Sequence, residues 1–264
     1  MLLAIDIGNT NIVVGVFEGE HLQATWRIAT HLSQTTDEYG ALLLSLLQHR
    51  STEISDIKEV AICCVVPPLI TTFEKLCQQY FHVLPLVVGP GIKTGVRIHA
   101  DNPREVGTDR IVDTAAAHHL YGHSAIVVDM GTATTFDVVS KEGDYLGGAI
   151  APGIAIAAEA LYTRAAALPR VELTSPRRAI GTNTITAMQS GIIFGYAGLV
   201  EALVARISRE IGATPRVIAT GGLAELIVRE TGAVPLVDQH LTLEGLRLLW
   251  ERARPAVSTP GVRG

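Results

Sequence analysis

Residues 2–17 read LLAIDIGNTNIVVGVF: an apolar segment, an Asp-x-Gly turn with short polar side chains, and a second β-branched segment. Residues 125–139 repeat this pattern as AIVVDMGTATTFDVV. Branched apolar residues favour strands, whereas Gly and Asn favour the turn between them. The sequence therefore predicts the same hairpin twice, once at the start of each of two lobes. We name the turns the first Asp-Gly hairpin (Asp6–Asn11) and the second Asp-Gly hairpin (Asp129–Thr134).

Strands and helices alternate in both halves of the chain. Apolar runs predict further strands at 60–66, 83–88 and 217–219, and helical periodicity predicts helices at 37–49, 69–81, 109–121, 187–211, 223–230 and 243–252. This alternation is typical of α/β lobes. A boundary near Gly122 gives lobes 1–121 and 122–254, and we expect the Pro- and Gly-containing tail 255–264 to be disordered.

The composition argues against several classes of protein. With 48% hydrophobic residues and a mean hydropathy of +0.32, the chain is too apolar for intrinsic disorder. No continuous apolar run reaches the roughly 20 residues of a membrane span, and the first residues lack the basic region of a signal peptide. The net charge of -5 argues against nucleic-acid binding, and three cysteines fit a reducing compartment. We therefore expect a cytoplasmic protein without membrane or nucleic-acid partners.

The first Asp-Gly hairpin has the chemistry of a polyphosphate site. Gly8 lets the backbone approach an anion, and the Asn and Thr side chains donate hydrogen bonds without adding charge. Asp6 cannot contact a phosphate directly, but it can hold a hydrated Mg²⁺ ion. An ordinary β-turn would explain one such motif, whereas two in matching positions favour a shared ligand. A third turn, Thr220-Gly221-Gly222, follows an apolar strand and could flank a nucleoside, although an ordinary strand–helix connection competes with this interpretation.

Residues 105–110 read EVGTDR and place a carboxylate at the predicted start of a helix. Pro103 and Gly107 interrupt the chain before it, so Thr108 is expected to cap the helix that begins at Asp109. Because backbone dipoles favour negative charge in a first helical turn, we expect Asp109 to be ionised and a weak base. Arg110 could bind a substrate carboxylate or a transferring phosphoryl group, and the sequence leaves both roles open.

These motifs together resemble the acetate and sugar kinase/Hsp70/actin superfamily and, within it, type III pantothenate kinase. The resemblance covers about residues 2–250, in the order of the family's motifs. It rests on both Asp-Gly hairpins, the EVGTDR segment, and two Gly-containing segments at 147–153 and 181–184. It implies an α/β fold of duplicated actin-like (ribonuclease H-like) lobes with a nucleotide cleft between them. It also implies ATP-dependent phosphorylation of pantothenate to 4'-phosphopantothenate, the first step of coenzyme A biosynthesis, by a homodimer.

The resemblance also assigns individual residues. It implies ATP binding by Asp6, Ile7, Gly8, Asn9, Thr10, Asn11, Ile12, Val13 and Thr132, with Mg²⁺ held through water by Asp6. It implies pantothenate binding by Gly107, Thr108, Asp109, Arg110 and Thr184, with Asp109 as the proton acceptor. Asp129 takes the place of the ligand to a monovalent cation, K⁺ or NH₄⁺. The long helix predicted from residue 187, which carries Gly191, Gly195 and Gly198 on one face, could pack between subunits.

One departure from the family keeps alternatives open. Family members often carry Tyr before the Asp-Asn-Pro stretch, where this chain has Ala100, so that the aromatic contact with pantothenate is in doubt and His99 could replace it. One alternative is a non-catalytic regulator similar to the Bvg accessory factors, against which the intact Asp109 and both hairpins argue. Another is a phosphatase, or a kinase for a different small hydroxy acid, on the same fold.

Overall fold

Strands and helices alternate along the residues that a computed structural model describes, which are 1–50, 52–89, 92, 94–212 and 214–253. The first half contains β1 (Leu2–Ile7), β2 (Asn11–Glu18), β3 (His21–Ala29), α1 (Thr36–His49), β4 (Glu59–Cys64), α2 (Pro67–Leu76), β5 (Leu86–Val87) and α3 (Thr108–Tyr121). The second contains β6 (Ala125–Met130), β7 (Ala133–Val139), β8 (Tyr145–Pro152), α4 (Ile154–Arg164), α5 (Thr184–Ile211), β9 (Arg216–Thr220), α6 (Ala224–Val228), β10 (Leu236–Val237) and α7 (Leu241–Ala253).

Two five-stranded sheets share one topology. Their strand orders are β3-β2-β1-β4-β5 and, read in the same direction, β8-β7-β6-β9-β10. In each sheet the first three strands of the repeat pair antiparallel and the last two join in parallel. This correspondence confirms the duplication that the two Asp-Gly motifs predict, and with it the α/β fold class.

The described residues form two compact units. Unit 1 consists of Met1–Gly95, Gly107–Ala115 and the described residues from Thr242 onward, and unit 2 of Val96–Val106 and Ala116–Leu241. Each unit holds one sheet and has its own apolar core. The first turn of α3 thus belongs to the same unit as β1 and β4.

Helix α1 shows how sequence sets the packing in unit 1. Thr35 and Glu38 form a reciprocal capping box at its start, which satisfies backbone N–H groups that the helix leaves unpaired. Behind the cap, Tyr39, Leu43 and Leu47 lie on one face and are buried against the sheet. The outcome is a single apolar layer that holds β1 and β4 in register.

Helix α5 is the long helix of unit 2. Asn183 accepts a hydrogen bond from the Thr186 backbone at 3.0 Å, so the helix begins at Thr184 rather than at residue 187. By length and composition α5 could cross a membrane, which is weak evidence because core helices pass the same test. The search for a continuous apolar run in the sequence did not find this helix, because Thr, Gln, Ser and Gly residues interrupt its apolar residues. Its residues between Met188 and Val204 contribute several buried side chains to the core of unit 2.

Most predicted elements are observed within a few residues. The predicted helix at 69–81 is α2 with a π-helical end at Cys77–Phe81. Four of the labelled elements were not predicted: β3, β8, α4 and β10. Strand β8 was missed because Gly147-Gly148 interrupts it, and glycine is depleted in strands. The tail predicted to be disordered, 255–264, lies outside the described residues.

Candidate functional site

The first Asp-Gly hairpin is a tight, backbone-bonded turn in unit 1. The Gly8 N–H donates to the Asn11 carbonyl oxygen at 3.0 Å, and the Thr30 hydroxyl on the neighbouring loop donates to the Gly8 carbonyl at 2.7 Å. Asn9 and Thr10 have exposed side chains at its tip. The turn therefore presents backbone and short polar groups on a fixed frame, as an anion site requires.

The apolar residues assigned to nucleotide binding are buried or partly buried, unlike the exposed residues at the tip of the hairpin. Ile7 and Ile12 pair across β1 and β2, and both side chains are fully buried in the core of unit 1. Val13 is partly buried. Any contact that Ile7 or Ile12 makes with a ligand must therefore come from the backbone.

The start of α3 is attached to β4. Cys63 Sγ donates to Thr108 Oγ1 at 3.4 Å, and Thr108 Oγ1 donates to the Cys64 carbonyl oxygen at 3.2 Å. Helix α3 begins at Thr108 itself. The prediction that Thr108 precedes and caps the helix is therefore wrong, because its hydroxyl bonds to the neighbouring strand instead.

Asp109 follows in the first turn of α3. Its Oδ1 accepts a hydrogen bond from the Arg110 backbone N–H at 2.8 Å. The same oxygen lies so close to Gly107 that a Cβ added to that residue would be only 2.5 Å away. Burial raises the pKa of Asp109 above its ordinary value, and the Arg110 N–H and guanidinium charge offset this only in part. The expectation that helix dipoles lower the pKa of Asp109 is thus wrong, since desolvation outweighs them, whereas its ionisation at neutral pH stays a prediction.

The second Asp-Gly hairpin joins β6 to β7 in unit 2. Its turn is one residue shorter than the first, because Met130 pairs with Thr134 whereas Ile7 pairs with Ile12. Thr132 is exposed at the tip, and its carbonyl accepts the Gly153 N–H at 3.1 Å. Gly153 is the N-cap of α4, so this bond fixes the hairpin against a helix start.

Asp129 lies at the end of β6 with a partly exposed side chain. Gly221, whose φ is +93°, turns beside it so closely that a Cβ there would lie 2.5 Å from Asp129 Oδ1. Carboxylate and backbone oxygens are suitable ligands for hard cations. A K⁺ or NH₄⁺ ion fits this donor chemistry, and the absence of a side chain on residue 221 leaves the carboxylate accessible. Among the described residues, no three His, Cys, Asp or Glu side chains group as a metal site.

Thr184 opens α5 and is exposed. It borders a cavity of about 630 Å³ in unit 2, whose wall includes Thr182, Asn183, Leu161 and Met188.

His99 precedes Ala100, the position at which the sequence departs from the family. Its Nε2 lies 3.3 Å from Asp144 Oδ2. Arg97 bonds to the same carboxylate and, with His99, lowers the pKa of Asp144.

The structure brings some predicted residues together and reveals others. Asp6 pairs in register with Cys63, which in turn contacts Thr108, so the first hairpin and Asp109 share one unit. Asp129, Thr132 and Thr184 lie in unit 2. Cys63 was missed because no local pattern distinguishes a bonded thiol from a core cysteine.

Comparisons with known proteins agree on one family. A family model described as type III pantothenate kinase matches residues 2–206. The type III pantothenate kinase of Syntrophus aciditrophicus (strain SB) is 55% identical over 252 residues, which cover 96% of this chain and 99% of that protein.

Solved structures agree on the fold. A Campylobacter jejuni protein described as a Baf family transcriptional activator is 18% identical, with 95% of this chain and 98% of that chain covered and a TM-score of 0.61. A ROK family glucokinase from Streptomyces griseus, solved with glucose and AMPPNP, is 14% identical, with 96% and 99% covered and a TM-score of 0.51. At these identities the likeness shows a shared fold alone. Together with the 55% identity and the matched family model, the fold and its two Asp-Gly hairpins establish that this chain belongs to the type III pantothenate kinase family.

Proposed function

We propose that this protein transfers the γ-phosphoryl group of ATP to the primary hydroxyl of pantothenate, giving 4'-phosphopantothenate and ADP. This is the first step of coenzyme A biosynthesis. The observation that carries the proposal is the high identity to a type III pantothenate kinase over nearly the whole chain. Asp109, a carboxylate with a raised pKa in the unit of the first Asp-Gly hairpin, supplies the chemistry.

Asp109 accepts the proton of the attacking hydroxyl. A base works best when its pKa lies near the operating pH, and burial moves the pKa of Asp109 in that direction. The phosphoryl group passes through a loose transition state, so the orientation of the hydroxyl matters more than its early deprotonation. The Arg110 N–H bond to Oδ1 holds the Asp109 carboxylate in place.

Pantothenate is held by Gly107, Thr108, Asp109 and Arg110, with Thr184 as a further contact. Arg110 either pairs with the pantothenate carboxylate or stabilises the transferring phosphoryl group, and both roles use its fixed positive charge. The bond from the Thr114 hydroxyl to the Arg110 carbonyl at 2.7 Å supports the backbone from which this side chain extends.

ATP phosphates are bound by the first Asp-Gly hairpin, Asp6–Val13, and by Thr132 in the second. Asp6 holds Mg²⁺ through water, and Asp129 holds K⁺ or NH₄⁺. The exposed tips Asn9, Thr10 and Thr132 support this assignment, because their side chains can donate to phosphate oxygens. The cations supply positive charge that offsets repulsion between the phosphates and the substrate carboxylate.

Asp6→Asn should raise KM for Mg-ATP and lower kcat by about tenfold or more, because the amide no longer attracts the cation. Thr132→Val should act in the same direction but more weakly. Steady-state kinetics at several Mg²⁺ concentrations, with thermal melting as a check of folding, measure both. Glu18→Gln, at the far end of β2, is the matched control. Wild-type kinetics in folded Asp6→Asn protein would remove the first hairpin from the nucleotide site.

Replacing potassium by sodium should lower turnover, because Asp129 is assigned to a weakly hydrated monovalent cation. Potassium should also raise the melting temperature of the wild type, since an ion bound only by the native state stabilises it. Asp129→Asn should lose both responses. Equal rates and equal melting temperatures in matched sodium and potassium buffers would contradict the assignment.

A homodimer and a cytoplasmic location complete the proposal. Gly191, Gly195 and Gly198 are exposed on one face of α5, and a Cβ added to any of them meets no atom of this chain within 4 Å. Glycine weakens a helix, so this face is better explained by close packing against a second subunit. Light scattering measures the mass directly. The buried free thiols of Cys63, Cys64 and Cys77 fit a reducing cytoplasm.

ADP release in the presence of ATP and a panel of small hydroxy acids tests the function. We expect turnover with pantothenate and little with other acids. Preference for a different acid would assign another substrate to the same fold. Binding of ATP or pantothenate without turnover would instead identify a non-catalytic regulator.

A further inference from the structure

The Thr108 hydroxyl makes two hydrogen bonds to β4. It accepts from Cys63 Sγ at 3.4 Å and donates to the Cys64 carbonyl oxygen at 3.2 Å. A hydroxyl offers one donor and two acceptor lone pairs, so both bonds can form at once. They connect the first residue of α3 to the carboxyl end of a buried strand.

That strand also pairs with β1, the strand that leads into the first Asp-Gly hairpin. Strand β4 pairs in parallel with β1, which places Cys63 opposite Asp6 and Cys64 opposite Ile7. Beyond the strand end, the Val65 N–H donates to the Ile7 carbonyl at 3.1 Å. Asp6 and Asp109 are therefore linked through one buried strand and one threonine hydroxyl.

The Cys63 thiol suits the role of a permanent donor. Burial raises its pKa well above the usual range, and the charges of Asp6, Asp109 and Asp113 raise it further. The thiol thus stays protonated at neutral pH and is a poor nucleophile. Because Cys63 has no exposed surface in this structure, its side chain affects the reaction only through its neighbours.

We propose that Thr108 is a positioning residue: its hydroxyl, held by Cys63 and the Cys64 carbonyl, fixes the start of α3 and so places Asp109 relative to the first Asp-Gly hairpin. The inference rests on the proposed function: it assigns the Thr108 side chain to aiming the base, and leaves the Thr108 backbone for contact with pantothenate. A misplacement of about 1 Å can cost roughly 100-fold in rate, so the effect should be measurable.

The test compares Thr108→Val with Thr108→Ser. Valine should lower kcat by about 10–100-fold, with KM for ATP and pantothenate within about threefold of wild type. Serine keeps the hydroxyl and should restore kcat. Thr36→Val is the matched control, because Thr36 also begins a helix of unit 1 and its hydroxyl donates to a backbone carbonyl of another element, that of Thr72 at 3.4 Å. It should leave kcat near wild type.

Cys63→Ala and Cys63→Ser form a second pair that tests the link without touching α3. Alanine removes the donor to Thr108 and should lower kcat several-fold, whereas serine should recover it. If Thr108→Val fails to fold, as thermal melting would show, this pair decides. Unchanged kcat in Cys63→Ala would then overturn the proposal.

Two further outcomes separate this inference from the proposed function. A raised KM for pantothenate with unchanged kcat in Thr108→Val would mean that the hydroxyl contacts substrate, and the inference would fail while the function stands. Absence of pantothenate turnover in the wild type would defeat the function instead. In that event, hydrogen exchange of the Ile111 amide, which bonds to the Gly107 carbonyl at 3.4 Å, still reads the helix start. Exchange should be faster in Thr108→Val than in Thr36→Val, and equal rates would overturn the link.

Discussion

Replacing Asp109 by Asn is expected to lower kcat by about 10²–10⁴-fold, the usual contribution of a positioned base, without lowering the free energy of unfolding. Asparagine keeps the shape of the side chain but cannot accept the hydroxyl proton. Its amide oxygen can still bind the hydroxyl, so KM for pantothenate should change only a few-fold. Steady-state kinetics and urea unfolding on one protein preparation measure all three quantities.

The stability of this variant should depend on pH in a defined direction. The folded pKa of Asp109 is raised, so the wild type loses stability as pH rises from the unfolded value of about 3.9 through the folded value. The variant has no such loss, and its relative stability should grow across that window. Asp37→Asn is the control, because Asp37 is an exposed carboxylate in the first turn of α1. It should cost about 0.3–1 kcal/mol and leave kcat unchanged. Turnover of Asp109→Asn near the wild-type rate would exclude Asp109 as the base.

Gly153→Ala should destabilise the protein by about 1–3 kcal/mol or more, as overpacking against a fixed backbone does. A Cβ at this position would clash with the Thr132 carbonyl oxygen and lie 2.6 Å from that of Gly131. Both are backbone atoms of the second Asp-Gly hairpin, so either α4 or the hairpin must move. KM for ATP should therefore rise along with the loss of stability.

Urea unfolding and ATP kinetics measure these effects, with Gly232→Ala as control. Gly232 lies in the same unit as Gly153, but a Cβ added there would have no atom within 4 Å. That substitution should therefore have almost no effect on stability. The φ of Gly153 is -64°, which alanine adopts without strain. Any large effect must therefore come from the clash, and a Gly153→Ala protein with wild-type stability and ATP affinity would contradict the packing described here.

The fold was predictable because its signals are local and repeated. The hairpins at Asp6 and Asp129 were predicted from strand-forming residues on either side of a turn sequence. One such motif is weak evidence, but its second copy indicated the domain duplication that the two sheets show. Helices such as α1 follow from apolar periodicity. Strand β8 was not predicted because its glycines interrupt the pattern of strand-forming residues. It forms nevertheless, because its backbone pairs with β7.

The candidate site residues were assigned from the sequence, but their electrostatics could not be. The motif around Asp109 could be located from sequence, yet the direction of its pKa depends on burial, which only the tertiary structure sets. Likewise, the bond between Cys63 and Thr108 joins residues far apart in the chain, and neither residue type signals it. Contacts of this kind join distant parts of the chain and cannot be derived from local patterns.

Mass spectrometry of the products formed from ATP and pantothenate, by wild type and Asp109→Asn side by side, tests the central claim most directly. The wild type should yield ADP and pantothenate heavier by one phosphoryl group, carried on the primary hydroxyl. The folded variant should give only trace product over the same time. Unmodified pantothenate after incubation with active, ATP-binding wild type, or equal product from both proteins, would contradict the proposed function.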